Sequence, residues 1–199
     1  MPAQGEKPRA PRERRAVSGF RDTRVLTEAA LAVALAFVLG LVKIFRMPEG
    51  GSISFEMIPL VLLALRQGPG VGAVAGAAYG VLDLISDPYV LNPVQVLFDY
   101  PLPFAAMGLA GLFRPTPRGA VLGTVAAVAG RFVCHFISGV AFFASYAPKG
   151  WNPYLYSAAY NAGYLVPSLL ITLAVVVVLL RALGAARPSR RQLELSRHA

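Results

Sequence analysis

Four ionisable residues lie inside long apolar stretches of the chain: Asp83, Asp99, Arg131 and His135. A charge at bilayer depth is costly, so each demands a partner or a function. Asp99 is the most informative. It stands in FDYPLP, where Pro101 has no N–H for the carbonyl of Leu97 and Pro103 none for that of Asp99. Irregular backbone at membrane depth persists only where protein buries it or water reaches it. A carboxylate beside freed carbonyls and Tyr100 suits a bound cation. The plainer alternative is an ion pair from Asp99 to Arg131 with no ligand.

His135, Gly139 and Phe143 recur at four-residue spacing and so share one helix face. They offer a polar edge, room and a stacking surface; a lone hydrogen-bonded core histidine is the bland reading of the first. Arg131 extends the same face, where pairing with Asp83 or Asp99 is the simple expectation. Tyr89, Tyr156, Tyr160 and Asn161 come from or near loops on the side of Asp99 and His135. Tyrosines there, with Trp151, also fit an interfacial aromatic belt. A carboxylate, several rings, an amide and an imidazole together describe a site for a flat, cationic, hydrogen-bonding small molecule, since aromatic faces attract cations.

The elements that must carry these residues are membrane spans. The 199 residues are 56% hydrophobic and 15% charged, with a mean hydropathy of +0.57, whereas soluble domains carry about a quarter charged residues. Apolar runs at 25–45, 57–66, 70–86, from Pro93 to Phe113, at 119–144 and from about 156 to Leu183 predict an all-α integral membrane protein of six transmembrane helices. Residues 1–24 read as a basic cytoplasmic tail, 25–184 as the membrane domain and 185–199 as a second basic tail. The first tail is too charged and too long before its apolar run for a cleavable signal.

Lys and Arg are distributed unequally between the two sides. The tails and the turns at 66–70 and 114–118 hold fifteen, the opposite loops only Lys43, Arg46 and Lys149. This bias places both termini in the cytoplasm. The net charge of +9 therefore describes membrane topology, and no folded basic face for nucleic acid exists between the tails. The single cysteine, Cys134, excludes an internal disulfide.

Gly72, Gly76 and Gly80 repeat at four-residue spacing and predict close helix packing. Ala30 and Ala34, with Ala32 and Ala36 beside them, suit either internal packing or a docking face for a membrane partner. No zinc-protease, nucleophile-elbow or phosphate-loop motif occurs, so neither a metal site, a cofactor nor a catalytic set is expected, and an intramembrane enzyme is the weaker alternative.

The segments SISFEMIPLVLLALRQG (52–68), LNPVQVLFDYPLPFAAMGLAGLF (91–113), RFVCHFISGVAFFASYAP (131–148) and NPYLYSAAYNAGYLVPS (152–168) resemble the thiamine-specific substrate-binding subunits of energy-coupling factor transporters. The resemblance runs from about Leu26 to Leu180. It implies a multi-pass protein of the bacterial cell membrane that captures thiamine at the outer face, then associates with a transmembrane coupling subunit and two ATP-binding subunits that hydrolyse ATP. By motif, Asp99 would face the thiazolium with Tyr156 and Asn161 nearby. His135 and Phe143 would flank the aminopyrimidine with Gly139 between them, and Tyr89 and Tyr100 would complete the wall. Ala30 and Ala34 match the docking face, which favours that reading over plain packing. The chain departs from the resemblance in three places: Asp99 stands for a longer glutamate, Phe143 for a tryptophan, and the loop at Glu49-Gly50-Gly51 lacks a lid tryptophan. A related vitamin, or a pyrimidine or thiazole precursor, is the alternative ligand.

Overall fold

The computed structural model describes residues 22–185; both tails, at 1–21 and 186–199, lie outside the described residues. Helix α1 (Thr23–Leu41) begins at Asp22, whose carboxylate accepts the Arg24 N–H at 2.9 Å, the usual relief for an orphan donor at a helix start. The expected first span to residue 45 stops four residues early. Phe45–Arg46 (β1) instead pairs antiparallel with Ser52–Ile53 (β2), with Phe45 opposite Ile53. Pro48 and the consecutive positive-φ glycines Gly50 (88°) and Gly51 (86°) turn this hairpin, a conformation that glycine adopts without Cβ strain.

Helix α2 (Met57–Gln67) is short, roughly 16 Å long against about 30 Å of hydrocarbon. Eight of its eleven residues are buried, so it is an interior helix enclosed by the others. Helices α1, α3 (Pro69–Ser86), α6 (Pro117–Phe142) and α7 (Pro153–Ala185) are each long and apolar enough to cross a membrane. The remaining segment is broken into α4 (Pro93–Asp99), α5 (Pro101–Ala105) and a 3-10 stretch, Ala106–Leu112. The break falls at Tyr100 (φ −120°, ψ −79°), where the two prolines predict it. The fold is thus an all-α membrane bundle of six helical segments, with unequal roles.

The glycine stripe explains how the broken segment is held. A Cβ at Gly80 would strike the Tyr100 carbonyl, one at Gly76 the Phe104 carbonyl, and one at Gly72 both Ala64 and Gly108. Positions 72, 76 and 80 therefore run antiparallel to 108, 104 and 100, backbone against backbone. Small residues permit this close approach between membrane helices, and here it fixes where Asp99 and Tyr100 sit. At the bundle end away from the hairpin, Glu28 lies 3.5 Å from both Arg24 and Arg66 and accepts from the Gln67 amide at 2.6 Å. It ties α1 to the end of α2.

Candidate functional site

A cavity of about 170 Å³ opens between the hairpin, the 87–92 loop and the ends of α3, α4, α6 and α7. That is more than ten times what one buried water needs. All eight residues singled out for ligand binding line it: Tyr89, Asp99, Tyr100, His135, Gly139, Phe143, Tyr156 and Asn161.

Asp99 is the last residue of α4. Its Oδ2 accepts from the Gln95 amide at 2.7 Å, and its Oδ1 lies 3.2 Å from His135 Nδ1. The expected pairing of Arg131 with Asp83 or Asp99 is not what the structure shows. Both terminal nitrogens of Arg131 donate to Glu56 Oε1 at 3.2 Å, and its guanidinium lies 4.1 Å over the Phe104 ring. Glu56 stands at the start of α2, which the bundle buries, so its carboxylate reaches the arginine first; Ser54 donates to its other oxygen.

These contacts settle the histidine tautomer. Arg131 Nε donates to His135 Nε2 at 3.3 Å, and a guanidinium can only donate. Nε2 is therefore the acceptor, the ring proton resides on Nδ1, and Nδ1–H donates to Asp99. The order of contacts is Glu56, Arg131, His135, Asp99. Asp99 thus receives two hydrogen bonds from neutral donors, while the nearby guanidinium is neutralised by Glu56. Its carboxylate is oriented without a full counter-charge.

The remaining wall is aromatic and amide. Tyr89 stacks on Phe143 at 5.7 Å between centroids, and Phe143 leans on Tyr146 at 5.8 Å. Tyr89 donates to Glu49 Oε2 at 3.0 Å and accepts from the Tyr146 hydroxyl at 3.2 Å. Its hydroxyl is held above its ordinary range by the Tyr146 hydrogen bond first, then by partial burial and the Glu49 carboxylate, so it remains a protonated donor. Tyr100 lends its ring to the wall but commits its hydroxyl to the loop, accepting from Tyr89 N–H at 2.7 Å and donating to the Asp87 carbonyl at 2.9 Å. Asn161 donates to the His135 and Ser157 carbonyls at 3.3 and 2.9 Å and accepts from Tyr164 at 3.0 Å. Gly139 lines the cavity, and a Cβ there would strike the Ser157 hydroxyl; its smallness seats α7 against α6 as well as leaving room.

Sequence reading missed several residues of this site. Gln95, 1% exposed, aims Asp99 and also holds the Tyr89 carbonyl and the Leu91 N–H. Its spacing of four from Asp99 was the available signal. Glu49 and Glu56 looked like ordinary loop residues. Tyr160, noted only as a loop-side aromatic, accepts the Glu49 N–H at 2.8 Å and donates to the Gly50 carbonyl at 3.0 Å, clasping the hairpin over the cavity. The Asp87 carboxylate meets Lys43, and Arg46 at 2.8 Å, on the hairpin's other flank. Ala30 and Ala34 lie well away, on the exposed side of α1, whereas Ala36 is buried.

A family described as thiamine transporter protein (Thia_YuaJ) matches residues 26–187, nearly the whole described chain. The chain belongs to this thiamine transporter family. The thiamine transporter ThiT of Bacillus subtilis (strain 168) is 39% identical over 171 residues, covering 78% of this chain and 88% of its own. The ThiT of Lacticaseibacillus paracasei is 35% identical over 173 residues, covering 78% and 86%. The solved structure of ThiT from Listeria monocytogenes superposes with a TM-score of 0.74 at 26% identity, over 81% of this chain and 96% of that one. A solved S component of a bacterial ECF transporter gives 0.58 at 18% identity over 82% and 96%, a likeness of fold. Membership makes the protein a multi-pass bacterial membrane transporter component rather than an enzyme, in agreement with its four membrane-capable helices.

Proposed function

We propose that this chain is the thiamine-capturing subunit of an energy-coupling factor uptake transporter, open to the outside at the hairpin end and with both termini in the cytoplasm. The observation that carries the proposal is the state of Asp99: a carboxylate lining the cavity, aligned by Gln95 and a neutral His135, whose nearest guanidinium is already spent on Glu56. Such a site is satisfied by a ligand that brings its own positive charge. The thiazolium of thiamine does so, and charge-assisted contacts of this kind are among the stronger ones available.

The aminopyrimidine belongs between His135 and the Phe143–Tyr89 stack, over Gly139. Tyr156 and Asn161 close the α7 side, and Tyr100 the α4 side. Phe143 supplies a smaller ring than the expected tryptophan, and the Tyr89 stack adds aromatic surface behind it. The hairpin, clasped by Tyr160 and Asp87, takes the place of a tryptophan-bearing lid.

Delivery requires partners, because the chain has no phosphate loop for ATP. Ala30 and Ala34, exposed on α1, serve as the face that docks on the transmembrane coupling subunit, which in turn engages two ATP-binding subunits. Two experiments test the two halves. Titrating the purified chain with thiamine tests capture. Labelled-thiamine uptake by cells expressing the chain with and without a coupling module tests delivery; uptake independent of that module would overturn the docking assignment.

A further inference from the structure

A second cavity, of about 450 Å³, lies between the hairpin-side ends of α1 and α3. That is roughly thirty times the space one buried water needs. The two helices meet beneath it. A Cβ on Gly40 would strike the Tyr79 hydroxyl, so glycine brings α1 onto α3 and closes the floor, with Phe37 beside it. Above that contact the chain leaves helical geometry at Val42, and the gap opens. Its mouth is apolar: Leu41 lines it and is 61% exposed, and Ile85, next to the lining Ser86, is 71% exposed. Both helices are long and apolar enough to cross a membrane, so acyl chains cover this mouth.

Inside, the wall carries four charges: Lys43 and Arg46 from the hairpin side, Asp83 and Asp87 from the end of α3. Lys43 and Arg46 both bind Asp87, Arg46 at 2.8 Å. Two cations on one carboxylate leave this trio with a single net positive charge. Asp83 stands one turn earlier on the same helix and has no basic partner among the described residues, so it keeps its negative charge. Side chains four apart on a helix lie about 5–6 Å from each other at Cβ. The cavity thus presents two neighbouring centres of opposite sign. The same four residues line the vitamin cavity, and they form the partition between the two spaces.

We propose that this second cavity holds the headgroup of an outer-leaflet lipid bearing a phosphate and a primary amine. The phosphate lies on Lys43 and Arg46, the ammonium on Asp83, and the acyl chains run down α1 and α3. From the transport reading this takes only the placement of the hairpin end at the outer membrane surface. Guanidinium and ammonium groups are strong phosphate donors, and basic pockets between membrane helices bind lipid headgroups. A phosphate and an ammonium two carbons apart reach both centres at once. A purely anionic headgroup leaves Asp83 uncompensated, and a quaternary amine has no N–H to give its carboxylate. Because Lys43 and Arg46 flank the strand that begins the hairpin, the bound lipid becomes part of what holds the hairpin against α3.

The test is native mass spectrometry of the full chain released from nanodiscs, without thiamine. The discs hold equal amounts of phosphatidylethanolamine, phosphatidylcholine and phosphatidylglycerol with matched tails. Wild type should retain the ethanolamine lipid over each of the others by at least about tenfold, the contribution of a charge-assisted hydrogen bond. Asp83→Asn should reduce the ethanolamine lipid to the level of the choline lipid, and Arg46→Gln should lower retention of both. Should Asp83→Asn fail to fold, mono- and dimethylated phosphatidylethanolamine test the same contact on wild type, with retention falling at each methyl. Equal retention of the three lipids by wild type, or an ethanolamine preference unchanged in folded Asp83→Asn, overturns the site. Displacement of the lipid by soluble glycerophosphoethanolamine would give the cavity to a free zwitterion and overturn the lipid assignment. Since thiamine is absent throughout, these outcomes are independent of whether the chain captures it.

Discussion

Both terminal nitrogens of Arg131 lie 3.2 Å from one oxygen of Glu56, a residue 75 positions away that the bundle buries to 4% exposure. The pair lines the cavity, and it leaves the Arg131 guanidinium on Glu56 rather than on Asp99. Breaking one partner of a buried ion pair leaves an uncompensated charge and costs about 3–5 kcal/mol, whereas replacing both by apolar residues is often close to neutral. Glu56→Gln should therefore lower thermal stability in detergent sharply. The double variant Glu56→Leu with Arg131→Met should recover most of that loss, yet bind thiamine poorly because His135 loses the donor that fixes its tautomer. A Glu56→Gln protein as stable as wild type would show that the pair does not bear on folding.

The charge argument at Asp99 makes a sharper demand. Hydrogen bonds to charged groups contribute about 1.5–3 kcal/mol, so Asp99→Asn should weaken binding of thiamine by roughly ten- to a hundredfold. A neutral isostere, with an uncharged ring in place of the thiazolium, should lose much less. Equal losses for both ligands, measured by calorimetry, would mean that Asp99 acts through shape alone.

At the glycine stripe, Gly76→Ala should drive a methyl into the Phe104 carbonyl and displace the segment that carries Asp99. Overpacking of this kind costs about 1–3 kcal/mol, and affinity for thiamine should fall with stability. Gly163→Ala is the control: its new methyl would meet only the tip of Met47 at 3.8 Å, so stability and binding should hold or improve. Matching behaviour of the two variants would contradict the backbone-contact account.

Tyr160 holds the hairpin through one hydroxyl that both accepts and donates. Each such bond is worth about 0.5–1.5 kcal/mol. Tyr160→Phe should accelerate release of thiamine, by about five- to one-hundred-and-fiftyfold for loss of both bonds, with a smaller change in the association rate. Stopped-flow fluorescence with unlabelled competitor reads the two separately; an unchanged dissociation rate would remove the hairpin from the account.

Much of the bundle was legible because hydropathy and proline placement are local signals. The break at Tyr100 follows from Pro101 and Pro103, and the packing face from the spacing of Gly72, Gly76 and Gly80. Less legible were relationships set by distant partners. Arg131 was visible as a buried cation, but Glu56 lies at the start of a helix too short to span, where its sequence context resembles a loop. Hydropathy also could not separate the end of α1 from the hairpin. Ile44 and Phe45 are each 55% exposed on the outside of the ribbon, so an apolar run continues through a change from helix to strand. Gln95 and Glu49 are polar residues whose importance arises only once the 87–92 loop and the hairpin fold onto the cavity.

The most direct test is calorimetric titration of the folded full chain with thiamine. The account predicts one saturable site per chain at nanomolar concentration, with the heat lost in Asp99→Ala while far-UV dichroism stays unchanged. Absence of binding into the high micromolar range by folded wild-type protein, or undiminished binding by Asp99→Ala, would contradict it.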